Sequence, residues 1–156
     1  MTEKKTRFYL IRHGETQWNR EGRYQGATDI ALSPEGRAQA KLVAKRFRYL
    51  PLDAIYVSPL QRARQTADAI AEETGLTPIV DEHFKEINLG EGEGHSIPQL
   101  TEKYGQAYLD FYENPFEHPF PGEGYFATVT ERSVAGFDEL LRKHRGDRFA
   151  MLPKVV

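Results

Sequence analysis

The chain has 156 residues, 39% hydrophobic and 28% charged, a balance that fits one globular domain with a real core and excludes a disordered chain. Its 21 Lys and Arg against 23 Asp and Glu leave a net charge of −2, so there is no general attraction to nucleic acid or anionic membranes and a bound anion must be held by local arginines. The absence of cysteine excludes a disulfide framework, a thiolate nucleophile and a cysteine-based metal site.

Phe8-Tyr9-Leu10-Ile11 predicts a short buried strand that breaks abruptly into Arg12, His13 and Gly14. Open α/β sheets bind ligands at the carboxyl ends of their strands, and a guanidinium beside an imidazole there suits a phosphate. Gly14 lets the backbone turn sharply against a ligand. The polar stretch from Thr2 to Arg7 is no signal peptide, and the apolar run after it is too short to span a bilayer, so a cytoplasmic protein is expected.

Gln17 to Asp29 is polar and broken by Gly22 and Gly26, which predicts a loop whose large apolar surfaces are Trp18 and Tyr24. Ser33 as N-cap, Pro34 at the first helical position and Glu35 beside the positive dipole end start a helix. Ala40, Val43, Phe47 and Leu50 continue it to Pro51. Ala54 to Val57 predicts a second strand, Ser58-Pro59 repeats the helix-start signature, and Gly75 closes that helix. Pro78 to Val80 predicts a third strand. The alternation implies βαβ units, hence a mostly parallel sheet in a three-layer α/β/α sandwich.

Beyond Asp81 the pattern lapses into a Glu- and Gly-rich loop to Pro98, followed by a helix over about Ile97 to Tyr112. Asn114 to Gly124 is Pro- and Gly-rich and predicts irregular backbone. Phe126, Val129, Ser133, Phe137, Leu140 and Leu141 mark a last amphipathic helix ending near Gly146. The helix opening Gln61-Arg62-Ala63-Arg64 places Arg62 just past a strand end, where it could meet the same anion as Arg12, while Arg64 reads as a solvated side chain. Tyr108, Phe111, Tyr112, Phe116 and Phe120 suit either a pocket lining or helix packing. His83, His95, His118 and His144 fall at no metal-ligand spacing and read as surface or structural residues.

Leu10-Ile11-Arg12-His13-Gly14-Glu15-Thr16 resembles the start of the histidine phosphatase superfamily, which includes phosphoglycerate mutases and broad-specificity phosphatases. Trp18-Asn19, Gln25-Gly26, Leu32 to Ala40, Ser58 to Ala67 and the acidic loop Lys85 to Gly94 continue the match in order. The resemblance implies a phosphoglycerate mutase-like fold and a metal-independent phosphomonoester hydrolase that needs no cofactor. It implies that His13 becomes phosphohistidine, that Arg12, Arg62 and Asn19 bind the phosphoryl group, and that Glu86 is the proton donor. Tyr24, Gln25 and Gly26 join the expected phosphate and substrate contacts. Glu91 and Glu93 are the other carboxylates of the acidic loop, and the choice of Glu86 rests on the family.

Family members carry a second His-Gly after a late strand, whereas no histidine follows His144 here. Pro153 also fits a central strand poorly, because it has no N–H to give the ladder. The 156 residues therefore read as one histidine-phosphatase-like domain whose last strand and helix are incomplete, with impaired catalysis. Apolar surface left uncovered would favour a homodimer. The expected partner is a small phosphorylated metabolite or inorganic phosphate, with neither nucleic acid nor membrane. Phosphoglycerate mutase-type transfer and a non-catalytic phosphate-binding role are the alternatives.

Overall fold

Strands β1 (Arg7–Leu10), β2 (Ala54–Val57), β3 (Ile79–Val80) and β4 (Arg148–Leu152) form an all-parallel sheet in the order β1-β4-β2-β3. The computed structural model describes residues 4–121 and 124–153. The last strand in sequence thus lies between the first two. Central β2 and β4 are buried on both faces, whereas β1 is an edge whose Phe8 and Leu10 are 43% and 57% exposed. The expectation of a buried first strand is corrected: its apolar run reflects one covered face and an open edge, not a central position.

Parallel pairing requires crossovers, and these cover both sheet faces. On one face α2 (Pro34–Phe47) and α3 (Gln61–Thr74) pack Ala44, Phe47, Ala63, Ala67 and Ile70 against Ile55, Val57, Ala150 and Leu152. On the other, α6 (Phe126–Lys143) brings Leu140 and Phe137 onto Tyr56, Phe149 and Met151. The alternate residues of β2 and β4 therefore feed two cores, the arrangement a three-layer α/β/α sandwich demands.

Pro153 does not disturb β4. It stands one residue past the strand end, where Met151 O and Leu152 O accept from the N–H groups of Ile11 and Ser58 at 3.0 and 3.1 Å. A central strand accordingly forms where proline was expected to weaken it; Lys154 to Val156 lie outside the described residues.

Two further elements differ from the local signals. The predicted loop after β1 contains a short helix, α1 (Gln17–Arg20), because Thr16 accepts from the Asn19 N–H while Asn19 Oδ1 accepts from the Thr16 N–H. The single helix predicted over Ile97 to Tyr112 is α4 (Ile97–Tyr104) and α5 (Gln106–Glu113), broken at Gly105, whose φ of +55° leaves the helical region. With Ile87, Leu89 and Phe120, these helices build a third apolar cluster around Leu100, Tyr108 and Phe111. The stretch after α5 is irregular as expected, with residues 122–123 outside those described.

Candidate active site

The residues singled out in the sequence gather beyond the carboxyl ends of the strands. His13 is buried, and its Nδ1 lies 2.6 Å from Gly14 O. A proton on Nδ1 donated to that carbonyl leaves the lone pair of the neutral ring on Nε2, itself a buried atom. The turn is pinned to α3, since the Gly14 N–H donates to Thr66 Oγ1 at 3.1 Å and the Thr66 hydroxyl donates to Arg62 O at 2.8 Å. It also presses on α2: a Cβ on Gly14 would meet the Gly36 carbonyl, and one on Gly36 would meet that of Glu15. Two glycines are what let the His13 turn approach a helix start this closely.

Arg62 is fully buried on the first turn of α3. Its Nη1 and Nη2 donate to Thr28 O at 2.8 Å and Gly26 O at 2.6 Å, while Nε has no hydrogen-bond partner. Burial pushes its pKa below the usual arginine value, and Glu86, Asp29 and Glu93 offset part of that effect. Ser58, at the end of β2, likewise has a buried hydroxyl without a partner. Buried donors left unsatisfied cost about 1–3 kcal/mol each, so two of them on one strand-to-helix junction call for an acceptor. Arg12 is exposed and makes no ion pair or hydrogen bond among the described residues.

Ser58-Pro59 does not cap α3. Leu60 occupies the N-cap without a side-chain bond, and Asp29, more than thirty residues earlier, accepts the Gln61 N–H at 2.6 Å instead. The positive helix end expected to face an anion is thus already met by a carboxylate, leaving the arginines and Ser58 for the ligand.

Asn19 is held by its capping bond through Oδ1, which directs the amide NH2 away from Thr16. Gln25 is buried and accepts the Thr16 hydroxyl proton at 2.7 Å, so it supports the turn. Gly26 has φ of +51°, and a Cβ there would run into the Glu93 carboxylate. Tyr24 pairs its hydroxyl with that of Tyr108 at 3.1 Å, and burial together with this bond pushes the Tyr108 phenol upward.

The three acidic-loop carboxylates separate by environment. Glu91 is exposed and paired with Lys103. Glu93 accepts from the N–H groups of Ala27 and Leu89 at 2.7 and 2.9 Å and from the Thr28 hydroxyl, so it clamps the Gly26 loop to Leu89. Glu86 is buried, receives the Ile87 N–H on Oε1 at 2.9 Å, and lines one cavity of about 180 Å³ with Tyr24 and Gly26. The Glu86 loop is strapped to α6 by Arg132, which donates to His83 O at 2.8 Å and Glu86 O at 3.3 Å, and by Ser133, whose hydroxyl donates to His83 O. Asp29, Glu93 and Arg132 carry no local signal of these roles, because each acts on backbone distant in sequence.

The other histidines take structural places. His144 lies before β4, at the opposite strand ends, between Tyr56 OH at 2.8 Å and Asp147 Oδ2 at 3.2 Å. His83 pairs with Asp81, and His118 is exposed. Among the described residues no group of three His, Asp or Glu is arranged to hold a metal ion, and no helix is long and apolar enough to cross a membrane.

Known proteins share this fold. Phosphoserine phosphatase 1 of Hydrogenobacter thermophilus is 41% identical over 134 residues, 86% of this chain and 63% of that protein. A second relative from the same organism is 35% identical over 141 residues, and this chain spans 66% of its length. Among solved structures, Bacillus stearothermophilus YhfR superposes with a TM-score of 0.88 at 32% identity, covering 96% of this chain and 74% of that one. A mutant phosphoserine phosphatase from Entamoeba histolytica, in complex with phosphoserine, gives a TM-score of 0.81 at 34% identity over 95% of this chain and 73% of its own. The family model described as histidine phosphatase superfamily (branch 1) matches residues 8–152, and the chain, with His13 and Arg62 at the carboxyl ends of a parallel sheet, belongs to that superfamily.

Proposed function

We propose that the chain hydrolyses phosphomonoesters through a phosphohistidine on His13. The observation that carries the reading is the pair of buried donors without partners, Ser58 Oγ and Arg62 Nε, beside the buried His13 turn, a combination that a phosphoryl oxygen satisfies. In the first step His13 Nε2 attacks phosphorus, the P–O ester bond breaks, and Glu86 gives its proton to the departing alkoxide. In the second, the Glu86 carboxylate takes a proton from water as its oxygen attacks phosphorus, releasing phosphate and the free imidazole. Arg12, Arg62 and the Asn19 amide hold the phosphoryl oxygens as charge redistributes.

The relatives named as phosphoserine phosphatases support phosphatase chemistry. Without a second positioned group, turnover at this site is expected to be about 100- to 1000-fold below that of a site that has one. The same buried donors would also serve a phosphate-binding role without turnover, which is the second reading. The proposed setting is the cytoplasm, and the substrate a small phosphorylated metabolite. Self-association belongs to the same proposal: the open edge of β1 exposes Phe8 and Leu10, and sedimentation of the chain beside Leu10→Lys checks it, with a monomer at every concentration refuting it.

The test is hydrolysis of 4-nitrophenyl phosphate by the chain, His13→Ala and Glu86→Gln, with acid-labile phosphate on His13 followed by mass spectrometry. His13→Ala is expected to lose all turnover, and Glu86→Gln to fall 100-fold or more. Equal rates for the chain and His13→Ala remove the catalytic claim; phosphate binding without turnover leaves the second reading.

A further inference from the structure

The cavity that Glu86 and Gly26 share has neither Arg12 nor Arg62 on its described walls. Its remaining described walls are Tyr24, Ile87, Leu89, Phe111, Tyr112 and Phe126, with Pro115 at the rim, and no lysine, arginine or histidine is among them. Glu86 is the one acidic or basic side chain among the described lining residues. The Tyr24 hydroxyl accepts from Tyr108, so that wall offers an uncharged O–H donor and no cation. The cavity measures about 180 Å³, and an apolar cavity of about 150 Å³ is enough to admit benzene.

Of the three cavities that Glu86 borders, this one also borders Gly26, whose carbonyl accepts from Arg62, so it is the space that joins Glu86 to the phosphoryl-binding arginine. We propose that it receives an uncharged aryl or alkyl group, so that the chain selects apolar phosphomonoesters and discriminates against esters bearing a carboxylate. A carboxylate there would lose its water and find no cation on the described walls. An ammonium could lie beside Glu86, yet the carboxylate of an amino-acid phosphate would still find no cation on the described walls. A ring set against Phe111 and Tyr112 gains both buried apolar area and edge contacts. This specificity rests on the phosphatase reading and departs from the substrate class named for the phosphoserine phosphatase relatives.

Equilibrium calorimetry with non-hydrolysable phosphonates tests it without depending on turnover. Methylphosphonate reports the oxyanion site alone, benzylphosphonate adds a ring, and 2-amino-4-phosphonobutanoate adds the polar atoms of phosphoserine. Benzylphosphonate is expected to bind at least tenfold tighter than methylphosphonate, and the amino acid no tighter than methylphosphonate. Tyr112→Arg, at a position 59% exposed and therefore tolerant, places a cation at the cavity mouth and should strengthen the amino-acid phosphonate at least fivefold while weakening the benzyl compound. If methylphosphonate binds but benzylphosphonate gains nothing, or the amino acid binds best, the specificity is wrong and the phosphatase reading stands. If none of the three binds, the oxyanion site fails and the specificity with it.

Discussion

Glu93 offers the sharpest check on how the site is held together. Its Oε1 accepts two backbone N–H groups, from Ala27 and Leu89, and its Oε2 accepts the Thr28 hydroxyl. Glu93→Ala removes all three bonds at once and strands two N–H groups. A hydrogen bond to a charged group contributes about 1.5–3 kcal/mol, but Glu93 is half-buried, so about 1 kcal/mol per bond is the appropriate scale. The expected loss is about 3 kcal/mol, and with a urea slope of about 2 kcal/mol/M the unfolding midpoint should fall by about 1.5 M. Glu93→Gln keeps Oε1 for both N–H groups and asks only that the Thr28 hydroxyl turn from donor to acceptor, so its loss should be about 1 kcal/mol. Since Arg62 donates to Gly26 O and Thr28 O on the clamped loop, Glu93→Ala should also weaken phosphate binding more than Glu93→Gln does. Urea denaturation of the three proteins, followed by phosphate titration, makes the comparison. A Glu93→Ala midpoint within about 0.3 M of the parent refutes the clamp, and equal damage from Gln and Ala would mean that charge beside Arg62, rather than the hydrogen bonds, is what matters.

Gly14→Ala should destabilise by about 1–3 kcal/mol, because the new Cβ would sit 2.9 Å from the Gly36 carbonyl carbon and neither backbone can yield; calorimetry should show a Tm lower by about 3–10 °C. Arg132→Met removes the bonds to the His83 and Glu86 carbonyls and loosens the Glu86 loop, so urea midpoint and hydrolysis rate should fall together, with partial recovery in Arg132→Lys; an unchanged rate refutes a positioning role. The Glu15 carboxyl is held below its ordinary value near 4.5, first by the Ser33 hydroxyl bond and then by Arg20. A depressed folded-state value means stability that is present above the unfolded pKa and lost as pH falls through the folded one. Glu15→Gln should therefore flatten the decline of the urea midpoint below about pH 4.5, and identical slopes in both proteins would refute the link.

Much of this molecule is legible locally. Ala54 to Val57 forms β2 because four consecutive apolar residues suit a strand covered on both faces, and Ser33-Pro34 starts α2 because Ser33 Oγ accepts the Gly36 N–H at 3.0 Å. Gly75 ends α3 through a left-handed φ of +73°. The Arg12-His13-Gly14 turn announced itself as a polar break after an apolar run. These signals lie within one turn or strand, where propensity and capping operate without help from the rest of the chain.

The remainder depended on partners far apart in sequence. Only the tertiary structure put β4 between β1 and β2, sparing the ladder from Pro153, which follows the strand. Only it separated Glu86, Glu91 and Glu93, three like carboxylates within eight residues, into a buried cavity wall, an exposed ion pair and a backbone clamp. Asp29 caps α3 across more than thirty residues, and Arg132 grips a loop nearly fifty residues away, distances at which no local pattern in the chain can report a contact. Short-range order follows from covalent neighbours and backbone sterics, whereas burial and charge pairing are decided by whatever the folded sheet and its helices bring alongside.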